Sequence, residues 1–317
     1  MAAQTHFDEH EITVLAPAEV IYGLVADVAR WPGIFPPTIH AERLGFDGAD
    51  EHIRLWALAN GEVKSWTSRR HLDPDGLSVR FRQDVSQAPV AAMGGEWVLR
   101  RLSERETRIV LKHDYRVVED DPGALEWVRA AVDQNSRAEL EKLKNAVENV
   151  REHEELTFDF ADSARIAGSL SDVYSFLHEA ARWPDRLPHV AALRLREDTP
   201  NIQVVAMDTR TEDGTVHTTE SVRVCFPERR IVYKQTTVPA LMTVHTGEWL
   251  LVEDGGEVTA TSRHTVSINR AAVHTVLGPD GSVRKAREFV HQALSANSMA
   301  TLRHAKAFAE EGGHARA

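Results

Sequence analysis

Arg30-Trp31-Pro32 returns 152 residues later as Arg182-Trp183-Pro184, and Gly95-Glu96-Trp97 returns at the same distance as Gly247-Glu248-Trp249. Two agreeing offsets are hard to obtain by chance, so the chain reads first of all as a duplication. At that shift Tyr22 also meets Tyr174, Pro36 meets Pro188 and Gln83 meets Gln235. Further on, Val128, Asn135, Ser136 and Leu140 match Val290, Asn297, Ser298 and Leu302 at a shift of 162, because the second copy carries extra residues around 273–282. The seam falls in the charged stretch 151–155, giving an N-terminal domain 1–152 and a C-terminal domain 153–317. Each has about 150 residues, a length at which one hydrophobic core is readily buried.

Within one copy the order reads strand, short helix, about six strands, long helix. His6 to Leu15 alternates loosely like a strand. Ala16-Pro17-Ala18-Glu19 opens a helix, since proline is tolerated where its missing N–H has no intrahelical role, and that helix is expected to end near Trp31-Pro32. Period-two patches at 53–57, 61–71, 77–83, 94–102 and 107–117 are separated by turn residues such as Asp73-Pro74-Asp75-Gly76 and predict an antiparallel meander. The closing helix, 122–151, puts Val128, Val132, Asn135, Glu139, Leu143, Ala146 and Val150 on one stripe at 100° per residue. The matching stripe is Val290, Leu294, Asn297, Thr301, Ala305 and Phe308. An α+β fold follows, in which a curved antiparallel sheet grips a long C-terminal helix and leaves a cavity between them.

Bulk properties narrow the function. Hydrophobic and charged fractions of 42% and 27% are those of an ordinary globular protein. A net charge of −11 argues against a nucleic-acid partner, which needs a basic face. No apolar run approaches the roughly 20 residues of a membrane span, and the polar start lacks the apolar centre of a secretory signal, so the expected location is cytoplasmic. A single cysteine, Cys225, can form no internal disulfide and fits a reducing compartment.

In the strand 61–71, side chains two apart share a face, so Trp66, Ser68 and Arg70 point one way. The aromatic residue marks that face as the inner one, which aims a guanidinium into the cavity. In 107–117, Ile109, Leu111, His113 and Tyr115 share a mostly apolar face that carries the imidazole inward. The inner inventory is then Trp66, Ser68, Arg70, His113, Asn135 and Glu139, with no metal-ligand spacing and no nucleophile triad among them. Taken alone, an inward arginine and histidine are more often members of a buried hydrogen-bonded network than catalysts, and Glu139 could simply pair with Arg70. Trp31, Trp97, Trp183 and Trp249, like Tyr22 and Tyr174, also suit core or turn anchors, because both copies keep them. As a set, a fixed cation can hold a 1,3-dicarbonyl, while a histidine oriented and favoured in its charged form by a carboxylate can move protons. Enolisation, aldol addition and loss of water need nothing more, so no cofactor is expected.

The run Trp66-Thr67-Ser68-Arg69-Arg70, with Ile34-Phe35-Pro36-Pro37-Thr38, Gly95-Glu96-Trp97, His113-Asp114 and Asn135-Ser136, resembles the polyketide aromatase/cyclases that join carbons 7 and 12. The likeness covers nearly all of residues 6–150, and the duplicated layout resembles the two-domain members. It implies a helix-grip fold of the Bet v 1 and lipid-transfer (START) type, and a poly-β-ketone delivered on an acyl carrier protein within a type II polyketide synthase. It also implies catalytic roles for Arg70, His113, Ser68 and Glu139, the last standing where the family commonly has aspartate, and substrate contacts for Trp66, Trp31, Asn135 and Tyr115.

The second copy departs from this pattern. At the 152 shift Trp66, Ser68 and Arg70 become Thr218, Glu220 and Val222, His264 stands for His113 and Thr301 for Glu139. Arg223 recovers the cation only through a one-residue slip, which would turn the strand's other face inward. Ring chemistry is therefore expected in the first domain, with His264, Glu220, Asn297 and Thr301 as pocket candidates of the second. The rival from another class is a non-catalytic carrier of hydrophobic ligands, because one fold serves many functions.

Overall fold

A computed structural model describes residues 4–210 and 216–312. The chain divides into two compact units, 1–150 and 151–317. In the first, β1 (His6–Val14) leads to α1 (Ala18–Ala26), a single 3-10 turn and α2 (Trp31–Ile34). Six strands follow: β2 (Thr38–Phe46), β3 (Asp50–Ala59), β4 (Glu62–Asp73), β5 (Ser78–Val85), β6 (Val90–Ser103) and β7 (Glu106–Val117). They form one antiparallel sheet in the order β1-β7-β6-β5-β4-β3-β2, and α3 (Pro122–Glu148) crosses it, packed on β1 and β7. Asp121 starts that helix by accepting the Ala124 N–H at 2.6 Å, with Pro122 in the first turn where no intrahelical N–H is needed.

Local rules explain most of these boundaries. Trp31-Pro32 does not end the first helix. It opens α2, because proline fits a helix start, while α1 already stops at Ala26. The closing helix stops at Glu148 rather than 151, since Asn149 leaves the helical region. A separate turn, α4 (Val150–Leu156), follows it. The strand β2 escapes a period-two reading because bulges at Thr38/His40 and Arg43/Gly45 interrupt its alternation.

The second unit repeats the plan with β8 (Thr157–Ile166), α5 (Leu170–His178), α6 (Trp183–Arg186), β9 (Val190–Thr199), β10 (Ile202–Arg210) and β11 (Val216–Phe226). It continues through β12 (Arg230–Thr237), β13 (Met242–Asp254), β14 (Glu257–Ile268), α7 (Val273–Leu277) and α8 (Val283–Glu310). The sheet order, β8-β14-β13-β12-β11-β10-β9, matches the first. The extra residues 273–282 form α7 and the loop before α8, whose cap is Ser282 accepting the Lys285 N–H at 3.2 Å. Ile21, Val25, Phe35, Trp97 and Leu143 are buried in one core; Val173, Leu177, Trp183, Leu187 and Trp249 are buried in the other. Tyr22 and Tyr174 pack against these clusters, which is the core role their repetition suggests.

Candidate functional site

One row of paired residues runs across the inner face of the first sheet. Glu51 faces Arg70, Arg70 faces Phe81, Phe81 faces Gly95, Gly95 faces His113 and His113 faces Asp8. The repeated glycine has a physical reason here. A β-carbon at Gly95 would overlap the Lys112 carbonyl oxygen and the Phe81 ring, so only glycine lets that ring lie across β6 toward His113. Phe81 meets the imidazole edge to face, with centroids 5.5 Å apart.

Between this face and α3 lies a cavity of about 140 Å³. Trp31, Trp66, His113, Asn135 and Glu139 line it, among apolar walls such as Leu55, Ala57, Met93 and Val132. These are five of the side chains that the sequence reading selects, brought together from four separate elements. His113 and Glu139 keep some accessible surface while lying deep among protein atoms, as befits groups that line an internal hollow. Burial pushes the Glu139 carboxyl up to about 8, so it is predominantly protonated at neutral pH. Burial, helped by His10, holds the His113 imidazole down to about 4 against the opposing pull of Asp8 and Asp114. The expectation that a neighbouring carboxylate would favour charged histidine is thus reversed, because desolvation outweighs it. Asn135 donates from Nδ2 to the Leu58 carbonyl at 2.9 Å, tying α3 to β3 beside the hollow.

Arg70, Ser68 and Tyr115 are not in this lining. The alternation along β4 is as expected, with Ser68 and Arg70 buried and Arg69 exposed. Arg70 instead lies in a buried ion pair, donating from Nη1 to Glu51 at 2.6 Å and from Nη2 to the Val25 carbonyl at 2.6 Å. Glu51 also accepts from Arg43 at 2.7 Å. The partner of Arg70 is therefore Glu51, not Glu139. Burial lowers the guanidinium to about 10, which leaves it cationic. Tyr115 is fully buried and donates to Asp8 at 2.5 Å.

The lining also holds Lys64, Gln87 and Trp127, none of which the sequence pattern singles out, and Gln83, which it marks only as a repeated residue. Lys64 shares the inner face of β4 with Trp66, so the same period-two count could have found it. Its ammonium lies 2.9 Å from Glu62 and 5.4 Å above the Trp127 ring. Among the described residues, no three His, Cys, Asp or Glu side chains gather as a metal-ligand set.

In the second unit the equivalent row is Gln203, Arg223, Tyr233, Gly247, His264 and Phe160. Arg223, not Val222, takes the place of Arg70: it donates to the Leu177 carbonyl and lies 5.0 Å over Trp183. The one-residue slip is real, and its cause is the longer β10–β11 hairpin. Nineteen residues separate the paired Glu51 and Arg70, and twenty separate Gln203 and Arg223. The same slip turns Glu220 outward, where it is exposed and accepts from Thr237 at 3.1 Å, so it is no pocket residue. His264 holds the register of His113 but is fully partnered. Its Nδ1 lies 3.1 Å from the Tyr233 hydroxyl and 3.0 Å from His245 Nε2, and its Nε2 lies 2.8 Å from the Ser298 hydroxyl. Burial lowers it to about 4. Thr301 is buried and spends its hydroxyl on the Asn297 carbonyl at 2.9 Å, while the Asn297 side chain is half-buried.

Residues 8–148 match the family described as polyketide cyclase/dehydrase and lipid transport. The granaticin polyketide synthase bifunctional cyclase/dehydratase of Streptomyces violaceoruber is 43% identical over 301 residues, covering 95% of this chain and 93% of the relative. The actinorhodin polyketide synthase bifunctional cyclase/dehydratase of Streptomyces coelicolor is 44% identical, over 95% of this chain and 96% of its own length. Among solved structures, the di-domain ARO/CYC BexL from the BE-7585A biosynthetic pathway superimposes with a TM-score of 0.86 at 54% identity, covering 96% of this chain and 99% of that one. The di-domain ARO/CYC StfQ from the steffimycin pathway gives the same TM-score at 38% identity, over 97% and 99% of the two chains.

Proposed function

This chain belongs to the polyketide cyclase/dehydrase and lipid transport family, and from that footing we propose that it joins carbons 7 and 12 of a poly-β-ketone and dehydrates the first ring to aromaticity. It is an enzyme of cyclisation and dehydration in aromatic polyketide formation. We infer that the chain arrives on an acyl carrier protein of a type II synthase and that the work is done in the cytoplasm; no helix among the described residues is long and apolar enough to cross a membrane.

The observation that carries this reading is that His113 and Glu139 line the same mostly apolar hollow, where burial lowers the imidazole and raises the carboxyl. Two groups pushed apart in pKa are an acid and a base ready for opposite jobs. His113 takes a proton from a methylene between two carbonyls, and the enolate carbon attacks the acceptor carbonyl. Glu139, donating a hydrogen bond to that carbonyl oxygen, delivers its proton to the alkoxide as the bond forms. The imidazole is now charged and the carboxylate bare. Once one proton is exchanged, the same pair removes the next α-proton and protonates the departing hydroxyl as water. Trp66 and Trp31 limit the folds that the substrate can take, an effect of orientation that can be large. Arg70 and Ser68 act from behind this wall: we assign Arg70 the support of Trp31 rather than a contact with the reacting carbonyl.

Reconstitution of the full chain with a minimal synthase tests the reading. Correctly cyclised product is expected with the native chain, and spontaneous shunt products with His113→Phe. An unchanged product pattern in that variant, or in the protein's absence, would leave only ligand carriage.

A further inference from the structure

The outer part of the hollow carries hydrogen-bond donors that the acid–base pair does not use. Lys64, Gln83 and Gln87 all line it, and Glu139 is the only carboxyl in that lining. On the inner face of β4, Lys64 stands three positions before Arg70, about 20 Å along the strand. The row of Arg70 is the one that holds His113. Gln83 faces Ser68, one position from that row. Gln87 is exposed and the Lys64 side chain is 20% exposed, whereas His113 and Glu139 lie deep, so Lys64 and Gln87 mark the mouth.

Both glutamines have their amide oxygens taken. The Ser65 backbone N–H donates to Gln87 Oε1 at 2.9 Å, and the Ser86 hydroxyl donates to Gln83 Oε1 at 2.7 Å. A backbone N–H can be met only by an acceptor, so the Gln87 amide cannot turn over, and its NH2 is what it has left to offer. Among the described residues no acceptor meets either amide nitrogen. Lys64 is held from two sides, its ammonium 5.4 Å above the Trp127 ring and 2.9 Å from Glu62. The Trp127 carbonyl in turn accepts from Asn60 in the turn between β3 and β4 at 2.8 Å, which keeps α3 against the mouth. Glu62 is 59% exposed, so the ion pair is weak, and it leaves the other ammonium N–H groups to donate elsewhere.

We propose that Lys64, Gln83 and Gln87 are positioning residues that grip keto oxygens in the part of the substrate chain that has not yet closed. The inference rests on the reading given above, that a poly-β-ketone folds in this hollow. Carbonyl oxygens only accept hydrogen bonds, so a run of them matches a rim that only donates. Held at the rim, the outer stretch stays extended, and its carbonyls are kept away from the methylenes that would attack them. The stretch that passes Trp66 is the one left free to bend, and it bends beside His113 and Glu139. The rim thus acts on which ring forms, while the acid–base pair acts on how fast it forms.

The test supplies substrate to the full chain from a minimal synthase and measures the ratio of correctly cyclised to shunt product, the pH profile and the denaturation midpoint. Gln87→Glu and Gln83→Glu keep an acceptor for the Ser65 N–H and the Ser86 hydroxyl but remove the donor. Lys64→Met keeps the stem and removes the ammonium. Each is expected to lower the product ratio on the order of ten-fold, the effect of one lost hydrogen bond, with the midpoint and both limbs of the pH profile as in the native chain. Lys64→Arg, still a donor, should restore most of the native ratio. A native ratio in any of the three donor-removing variants overturns the rim, since a merely structural glutamine is replaced by glutamate without loss. So does a Lys64→Arg chain no better than Lys64→Met, or a limb of the pH profile that moves. His113→Phe keeps the two readings apart: if it forms native product the acid–base reading falls, and the ratio in Gln87→Glu still decides the rim.

Discussion

The guanidinium carbon of Arg70 lies 5.0 Å above the indole ring of Trp31, and it is the indole, not the guanidinium, that lines the cavity. Desolvated cation–π contacts of this kind contribute about 2 kcal/mol or more, and here the contact fixes the attitude of a wall residue. The ion pair beneath it is almost completely buried, with side-chain exposures of 1% for Arg70 and 0% for Glu51. Removing one partner from such a pair costs about 3–5 kcal/mol, whereas replacing both by apolar groups is often neutral. Arg70→Ala is therefore expected to lower the midpoint of chemical denaturation sharply and to increase shunt products. The paired variant Glu51→Leu with Arg70→Met should recover most of the stability and still direct cyclisation. A stable double variant that yields only shunt products would return Arg70 to direct contact with substrate.

The pH dependence of cyclisation follows from the opposed shifts in the pocket. Activity requires neutral His113 and protonated Glu139, so it should rise as pH passes about 4 and fall as pH passes about 8. Glu139→Gln keeps a neutral hydrogen-bond donor that does not titrate. Its profile of product formation should lose the alkaline limb and sit well below the native plateau, because an amide can donate a hydrogen bond but cannot deliver a proton. An alkaline limb that survives in Glu139→Gln assigns that limb to another group.

Which parts of this site the sequence discloses depends on distance along the chain. The face shared by Trp66, Ser68 and Arg70 is a property of four consecutive pairs of residues, and the strand period reveals it. The placement of α1 and α2 over the far end of that face is not local. The carbonyls of Val25 and Ala26 at the end of α1 and the indole of Trp31 on α2 engage Arg70, so inward-pointing and cavity-lining become different things. The same holds for Glu51, whose position opposite Arg70 is set by the length of the β3–β4 hairpin. In the second copy a hairpin one residue longer decides whether Val222 or Arg223 points inward, and no periodicity within β11 could tell the two apart. The duplication itself, the strand order and the long helix are legible because each rests on a repeated or periodic pattern.

The repeated Gly-Glu-Trp motif makes its own prediction. A β-carbon at Gly95 would overlap the Lys112 carbonyl, and one at Gly247 would overlap the Arg263 carbonyl and the Tyr233 ring. Since the obstacle in each case includes backbone, the strand must move rather than a side chain. Gly95→Ala should cost about 1–3 kcal/mol in denaturant titration and disturb the Phe81–His113 contact, impairing ring closure. Gly247→Ala should be comparably destabilising while leaving product regiochemistry as in the native chain. Equal loss of regiochemistry in both would mean that the second row takes part in the chemistry.

Acid sensitivity should separate the two rows in the same way. His264 and His245 lie 3.0 Å apart and are both held well below the usual imidazole range, chiefly by burial. In the unfolded chain they titrate near 6.5. As pH falls from there toward 4 the unfolded state binds protons that the native state refuses, so native stability is lost across that window. In the first unit His113 acts in the same direction. Glu139 acts in the other sense, because its raised pKa contributes stability that is fully present below the unfolded value near 4.5 and lost as pH rises toward 8. Between pH 4.5 and 6.5 the two contributions oppose each other in the first unit, whereas in the second Thr301 stands in place of the carboxyl and the histidines act without that opposition. Hydrogen exchange followed from pH 7 to pH 5 should therefore show β13 and β14 losing protection before β6 and β7. Replacing His245 by Phe should flatten that acid response, since it removes one of the two buried bases without adding a polar atom. Earlier loss of protection in β6 and β7 would mean that the Tyr233 and Ser298 hydroxyls compensate the histidines more fully than their burial penalises them.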